Sequence, residues 1–139
     1  QKNLENVYAI GDVTSVTIPG KWKPDVTMNL PKAGIFAHLQ AEIVAERISS
    51  ELKGETPKAE FCGDGFCMLE TGEHAPGFAY GNFFGEPSPD VKIRNIGKSW
   101  HYGKVIFKKW WLSSLGVKKW LLKFVMKMGG IFMRIPIKF

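Results

Sequence analysis

Residues 6–16, NVYAIGDVTSV, are followed after a loop by residues 30–48, LPKAGIFAHLQAEIVAERI, and the reading of this pair decides the fold. Val7 to Ile10 form a short apolar run that predicts a buried strand. It ends on Gly11-Asp12. Beyond the loop, Ile35, Phe36, Leu39, Ile43, Val44 and Ile48 recur at helical spacing. Pro31 sits where helices begin and Gly54 where they stop, so the helix is predicted over 33–53. A strand that delivers Gly-Asp to its C-terminal edge builds the place where open α/β sheets bind ligands. Gly11 admits a close approach to the backbone. Asp12 offers a carboxylate to hydroxyl groups. The helix beginning at Ala33 and Gly34 presents free N–H groups and a positive dipole end, worth about 0.3–1 kcal/mol to an anion. Lys32 adds a full charge there. Taken alone, the same residues also fit an ordinary Gly-Asp turn with Lys32 in solvent.

Outward from this pair, residues 14–30 read as loop. After residue 60 the period changes: FCGDGFCMLETG and GFAYGNFFGEP read as two strands joined by a turn around Glu73 to Gly77. PSPDVKIRNIGKS reads as a connector. Trp100 to Leu115 and Val117 to Met128 read as helices, broken by Gly116 and ended by Gly129-Gly130. IFMRIPIKF reads as a last strand or an extended tail. The expected class is α+β, in three parts: 1–54, 55–97 and 98–139.

Charge is segregated. Residues 98–139 carry ten Lys/Arg and no Asp or Glu, whereas residues 1–97 carry nine basic and thirteen acidic residues. Four of the five Trp lie in the basic segment. In the second of its helices Val117, Trp120, Leu121, Phe124, Val125 and Met128 share one face, with Lys119, Lys123 and Lys127 on a neighbouring face. Together with Trp110 and Trp111, this pattern predicts a helix lying in a membrane interface and drawn to anionic lipid. A core helix or a dimer contact with solvated Lys is the plainer reading. The regular apolar face argues against nucleic acid as the partner. No apolar run approaches the roughly 18 residues that span a bilayer. There is no secretory signal and no initiator Met, so a fragment or processed product is expected.

YAIGD followed by PKAG at the head of an Ala-rich helix resembles the second flavin-binding segment of the pyridine nucleotide–disulfide oxidoreductase superfamily. The later blocks, PKAG-F---QA--VA, F-G-G-C-LETG, GNFFGEP-P and WH-GK--F-KWWL, resemble the sulfide:quinone oxidoreductases over roughly residues 5–115. The resemblance implies FAD as cofactor, with Gly11, Asp12, Lys32, Ala33 and Gly34 around it. The Asp matching Asp12 bonds the ribityl chain, and the helix tip faces the flavin N1/C2=O edge. One departure is Ala33, where many relatives have Thr. No G-x-G-x-x-G occurs, so the chain is similar to the C-terminal third of such a flavoprotein and lacks the route to the ADP half.

By the same resemblance, Cys67 matches the redox cysteine that handles sulfide, with a second cysteine outside this chain. On its own terms, apart from the resemblance, Cys67 reads as a small buried hydrophobe in a strand. Cys62 matches nothing in the family. At five residues apart on one strand, Cys62 and Cys67 would lie on opposite faces. Two Cys and His74 fall short of the about four ligands of a zinc site, so no metal is expected. The resemblance places Phe107 against a quinone ring and Lys104 beside it; Phe83 and Phe84 are candidates for a further wall. His38 and His101 read as structural. The expected whole is a peripheral, monotopic membrane flavoprotein that oxidises sulfide and reduces quinone, inactive as this chain alone, with a homo-oligomer left open. Other readings are a type II NADH:quinone dehydrogenase, a flavocytochrome c sulfide dehydrogenase, or a membrane-binding module without enzymatic activity.

Overall fold

The structure is a computed structural model, and it describes residue 4 and residues 6–69, 77–94 and 97–135. Its architecture is α+β: three α-helices with a two-stranded and a three-stranded antiparallel sheet. In chain order these are β1 (Thr17–Lys23), β2 (Val26–Asn29), α1 (Gly34–Leu52), β3 (Asp64–Leu69), β4 (Gly77–Asn82), β5 (Asp90–Arg94), α2 (Lys98–Trp111) and α3 (Val117–Phe132). The described residues form two compact units. One comprises the residues up to Gly65 together with Asn82–Asp90; the other comprises Phe66–Gly81 and the chain from Val91 onward. The division between the units falls inside β3, β4 and β5.

In the first unit the helix predicted over 33–53 is present as Gly34–Leu52. Ile35 and Phe36 are buried on it. Phe36 meets Phe61 and Phe83 edge-on, with ring centroids 6.3 and 5.0 Å away, the arrangement aromatic quadrupoles favour. Phe61 in turn meets Phe84 at 5.5 Å. Gly65 lets this cluster form: a Cβ there would lie 2.3 Å from the Phe36 ring. The Gly54 stop is also in place. Gly54 takes φ +74, its N–H bonds the Glu51 carbonyl, and the Glu55 N–H reaches back to Ser50 at 2.9 Å. These bonds satisfy the orphan carbonyls of the last turn.

Two expectations about this unit are corrected. Val7 to Ile10 do not form a strand, and Val7, Tyr8 and Ile10 are 37–42% exposed. The chain instead enters a 3-10 turn at Gly11–Val13. Residues 14–30 are not a loop but contain the β1–β2 hairpin, whose register slips between Ile18 and Lys21 and again before Lys23. The first slip falls at Pro19-Gly20, since Pro has no N–H for the ladder. Ile18 and Leu30 are buried at its base.

In the second unit β4 presents Phe78 and Tyr80 on one strand face. Phe78 stacks on Trp100 of α2 with centroids 4.6 Å apart and planes 6° from parallel, and on Phe66 of β3 at 5.5 Å. The segment expected to be a connector holds β5, a short and mostly exposed strand. Gly129-Gly130 does not end α3, which continues to Phe132. Gly130 is buried there, and the stop falls at Arg134, which takes φ +54. The Ile135 N–H then bonds the Gly130 carbonyl at 2.8 Å. Ile131 and Phe132 are therefore helix rather than the start of a strand or tail, and residues 136–139 lie outside the described residues. So do most of the turn expected around Glu73 to Gly77 and all of His74.

Candidate functional site

Around the start of α1, Gly11, Asp12, Lys32 and Ala33 line one shallow pocket enclosing only about 10 Å³, with Thr14, Leu30, Phe36 and Gln40 among its other walls. Gly34, the first helical residue, is not part of the lining. Ala33 stands at the N-cap with no side chain capping the helix, so the end keeps its positive character toward the pocket. Gly11 has φ +69, a region few other residues adopt, and a Cβ on it would come within 3.0 Å of the Ala37 Cβ. The turn therefore lies directly on α1.

Its bonds fix it there. The Gly11 carbonyl accepts from the Thr14 N–H at 3.0 Å and from the Thr14 hydroxyl at 2.7 Å. The Gly11 N–H donates to Gln40 Oε1 at 2.6 Å. The Lys32 ammonium donates to the Thr14 carbonyl in an exposed bond, which keeps its charge at the solvent-open rim of the pocket. The pocket thus combines a carboxylate, an ammonium, an uncapped helix tip and an apolar wall of Leu30 and Phe36. This donor set suits a planar ring with one electron-rich edge and a hydroxylated chain. Sequence reasoning missed Thr14, Gln40 and Leu30. Only the placement of the turn over the helix reveals them.

Cys67 lies on β3 in the second unit, half-buried and free. Burial pushes its thiol pKa above the usual value, which favours the neutral form. Strand alternation puts Phe66 and Met68 on one face and Cys67 on the other. Cys62 is exposed and free, its thiol 3.4 Å from the Asp64 carboxylate, which also accepts from the Asn82 amide at 2.9 Å. No group of three or more His, Cys, Asp or Glu suited to a metal occurs among the described residues.

A second concavity lies within the second unit, a groove of about 180 Å³. Phe66, Met68 and Phe78 line it from the sheet, Trp100 and Phe107 from α2, and Met126 and Gly129 from α3. Phe107 meets Phe66 edge-on at 5.7 Å. Lys104, one turn earlier, is half-buried but not part of the lining. Phe83 and Phe84 are not part of it either; they pack in the aromatic cluster of the first unit. His38 lies 3.4 Å from Glu42 one turn along α1, and His101 packs edge-on to Tyr102.

Of the four aromatics expected at a membrane, Trp110 is placed otherwise. It is 3% exposed, packed against Phe107 and Trp111, with the Lys119 ammonium 5.5 Å above its ring. Trp111, Trp120 and Phe124 are exposed, and Trp120 stacks on Phe124 at 5.9 Å. Leu121, Met128, Ile131 and Phe132 continue an exposed apolar stripe along α3. No helix among the described residues is long and apolar enough to cross a membrane.

The chain is 27% identical over 134 residues to the sulfide-quinone reductase of Aquifex aeolicus (strain VF5), an alignment that takes in 94% of this chain. It spans 30% of the length of that relative. No protein-family profile matches the chain, and no solved structure matches it.

Proposed function

We propose that this chain is the C-terminal part of a membrane-associated flavoprotein that oxidises sulfide and reduces quinone. The observation that carries the reading is the pocket at the start of α1, where Gly11, Asp12, Lys32 and Ala33 meet, in a chain similar to a sulfide-quinone reductase along most of its length. The residues fit FAD in part. Only about 10 Å³ of the pocket is enclosed, far below the ~300–1,000 Å³ of sites that enclose a drug-sized ligand. The edge of a flavin would therefore rest against the pocket's open rim, not inside it.

FAD, when bound, supplies the two-electron redox chemistry. Asp12 binds the hydroxylated chain, and Gly11 lets that chain approach the backbone. The tip of α1 and Lys32 favour negative charge at the ring edge. Phe36 and Leu30 keep water from one side. Phe107 gives a flat apolar wall for a quinone ring, while Trp120 and Phe124 reach the lipid in which quinone dissolves. Cys67 is the residue assigned to sulfur. Its burial favours the thiol, so attack by Cys67 would require a base to take the proton; held in a disulfide it would instead be the sulfur attacked, with the partner cysteine leaving as thiolate.

The same flavin segment and basic, aromatic tail also fit a second reading, a type II NADH:quinone dehydrogenase, which needs no cysteine at this position. One experiment separates the two. The full-length natural polypeptide carrying this chain should purify with flavin absorbance and hold the flavin measurably more weakly in Asp12→Ala. Sulfide-dependent quinone reduction should vanish on Cys67→Ser. A colourless protein defeats both readings; full sulfide turnover in Cys67→Ser defeats the first.

A further inference from the structure

We infer that Gln40 is a positioning residue that sets the orientation of Asp12 at the pocket. Gln40 is the sole polar residue in the buried class among the described residues, at 8% exposure. A buried amide needs partners, because leaving water without replacing its hydrogen bonds is unfavourable. Gln40 uses its carbonyl oxygen on the Gly11 N–H, twenty-nine residues away in the chain. Ala37, one helical turn earlier on the same face, lets the Gly11 backbone descend onto α1. Ala37 is thus the floor on which the turn rests and Gln40 the clasp.

The geometry makes the clasp consequential. The turn Gly11–Thr14 is closed on itself through the Gly11 carbonyl, so it pivots as one piece. It has two side-chain ties, Lys32 on the Thr14 carbonyl and Gln40 on the Gly11 N–H. The first is exposed and is weakened by solvent competition; the second is part-buried, on a side chain only 8% exposed, and is weakened less. Asp12 directly follows Gly11, so the direction of its carboxylate follows from the peptide that Gln40 holds. A neutral amide accepts this bond without placing a charge beside Asp12.

The hold itself is tested by hydrogen exchange at the Gly11 amide in the full-length natural polypeptide. In the wild type this amide should be protected on the order of tenfold or more over a free peptide. Gln40→Leu should raise its exchange on the order of tenfold while amides in the middle of α1 change by less than about twofold. Gln40→Glu, which keeps an acceptor oxygen, should restore protection. An unprotected Gly11 amide in the wild type, or equal protection in Gln40→Leu, overturns the inference. The wild-type measurement stands even where a variant does not fold.

The consequence for Asp12 rests on the proposed function and is read separately, as flavin retention in a double-mutant cycle. Gln40→Leu should weaken retention at least tenfold alone and add nothing in the Asp12→Ala background. Additive losses would refute positioning through Asp12. If the wild-type polypeptide takes no flavin, the function reading fails, while the exchange data still decide what Gln40 holds.

Discussion

A methyl group added at Gly54 and one added at Gly65 probe two different constraints. Gly54 sits at φ +74 with nothing within 4 Å of its missing Cβ, so Gly54→Ala pays only the conformational penalty, about 1 kcal/mol. Gly65 is in a strand, and its added Cβ would strike the Phe36 ring at 2.3 Å. Overpacking there should cost about 1–3 kcal/mol. Urea denaturation of the two variants should rank them in that order, and Phe36→Leu should rescue part of the Gly65→Ala loss but none of the Gly54→Ala loss. The cysteines differ in a second measurable way. Cys62 is exposed, while Cys67 is partly buried with its thiol pKa raised above 9.0. Iodoacetamide at about pH 7 should therefore label Cys62 first, with Cys67 reacting appreciably only as the pH passes the usual thiol range. Linkage gives the same sign. The raised folded pKa means that the contribution of Cys67 to stability is intact below pH 9.0 and fades as pH climbs through the folded value. Equal labelling of the two at neutral pH would contradict this placement.

Among the elements, those with a strong period were legible and those built on irregular backbone were not. The stripe from Ile35 to Ile48 declared α1, and the change of period after residue 60 declared β3 and β4. The β1–β2 hairpin was hidden because its two register slips, one at Pro19-Gly20, destroy the alternation that identifies strands. β5 was hidden because an edge strand with Ile93 71% exposed carries no inward pattern. Val7 to Ile10 misled in the other direction, since an apolar run names a strand only where a neighbour completes its ladder. At the pocket, Gly11, Asp12, Lys32 and Ala33 could be marked from the helix-tip argument, but Gln40 reads as an unremarkable helical residue until Gly11 is seen beside it. α3 was readable as to face but not length, because the buried Gly130 packs inside the helix instead of ending it. Its exposed stripe makes the prediction at this scale. Trp120 is 67% exposed and Phe124 49% exposed, so changing both to Ser removes apolar contact area without opening a core. Vesicle co-sedimentation should fall at least tenfold, with the circular dichroism and thermal midpoint little altered. Unchanged sedimentation would exclude α3 as the contact.

For the whole molecule, the separation of charge matters more than its total. All net positive charge resides in residues 98–139, a segment with ten Lys/Arg and no Asp or Glu in its sequence, and the exposed apolar stripe of α3 lies in the same stretch. Attraction to an anionic surface and burial of apolar area should therefore act at one place but respond differently to salt. Screening shortens from about 10 Å at 0.1 M to about 3 Å at 1 M ionic strength, whereas apolar burial persists. Binding to vesicles containing anionic lipid should weaken as salt rises, then level off at the value seen on neutral vesicles. Removing that residual binding should require Trp120→Ser and Phe124→Ser. The lysines should also be unequal. Lys118 and Lys127 are exposed, and each changed to Gln should lower affinity for anionic vesicles about fivefold at low salt, the equivalent of about 1 kcal/mol per charge. Lys119 rests over the Trp110 ring, so part of its charge is already engaged and Lys119→Gln should cost less. Binding that ignores lipid charge, or equal losses at all three positions, would separate the basic segment from any membrane role and leave its lysines as a solvated face.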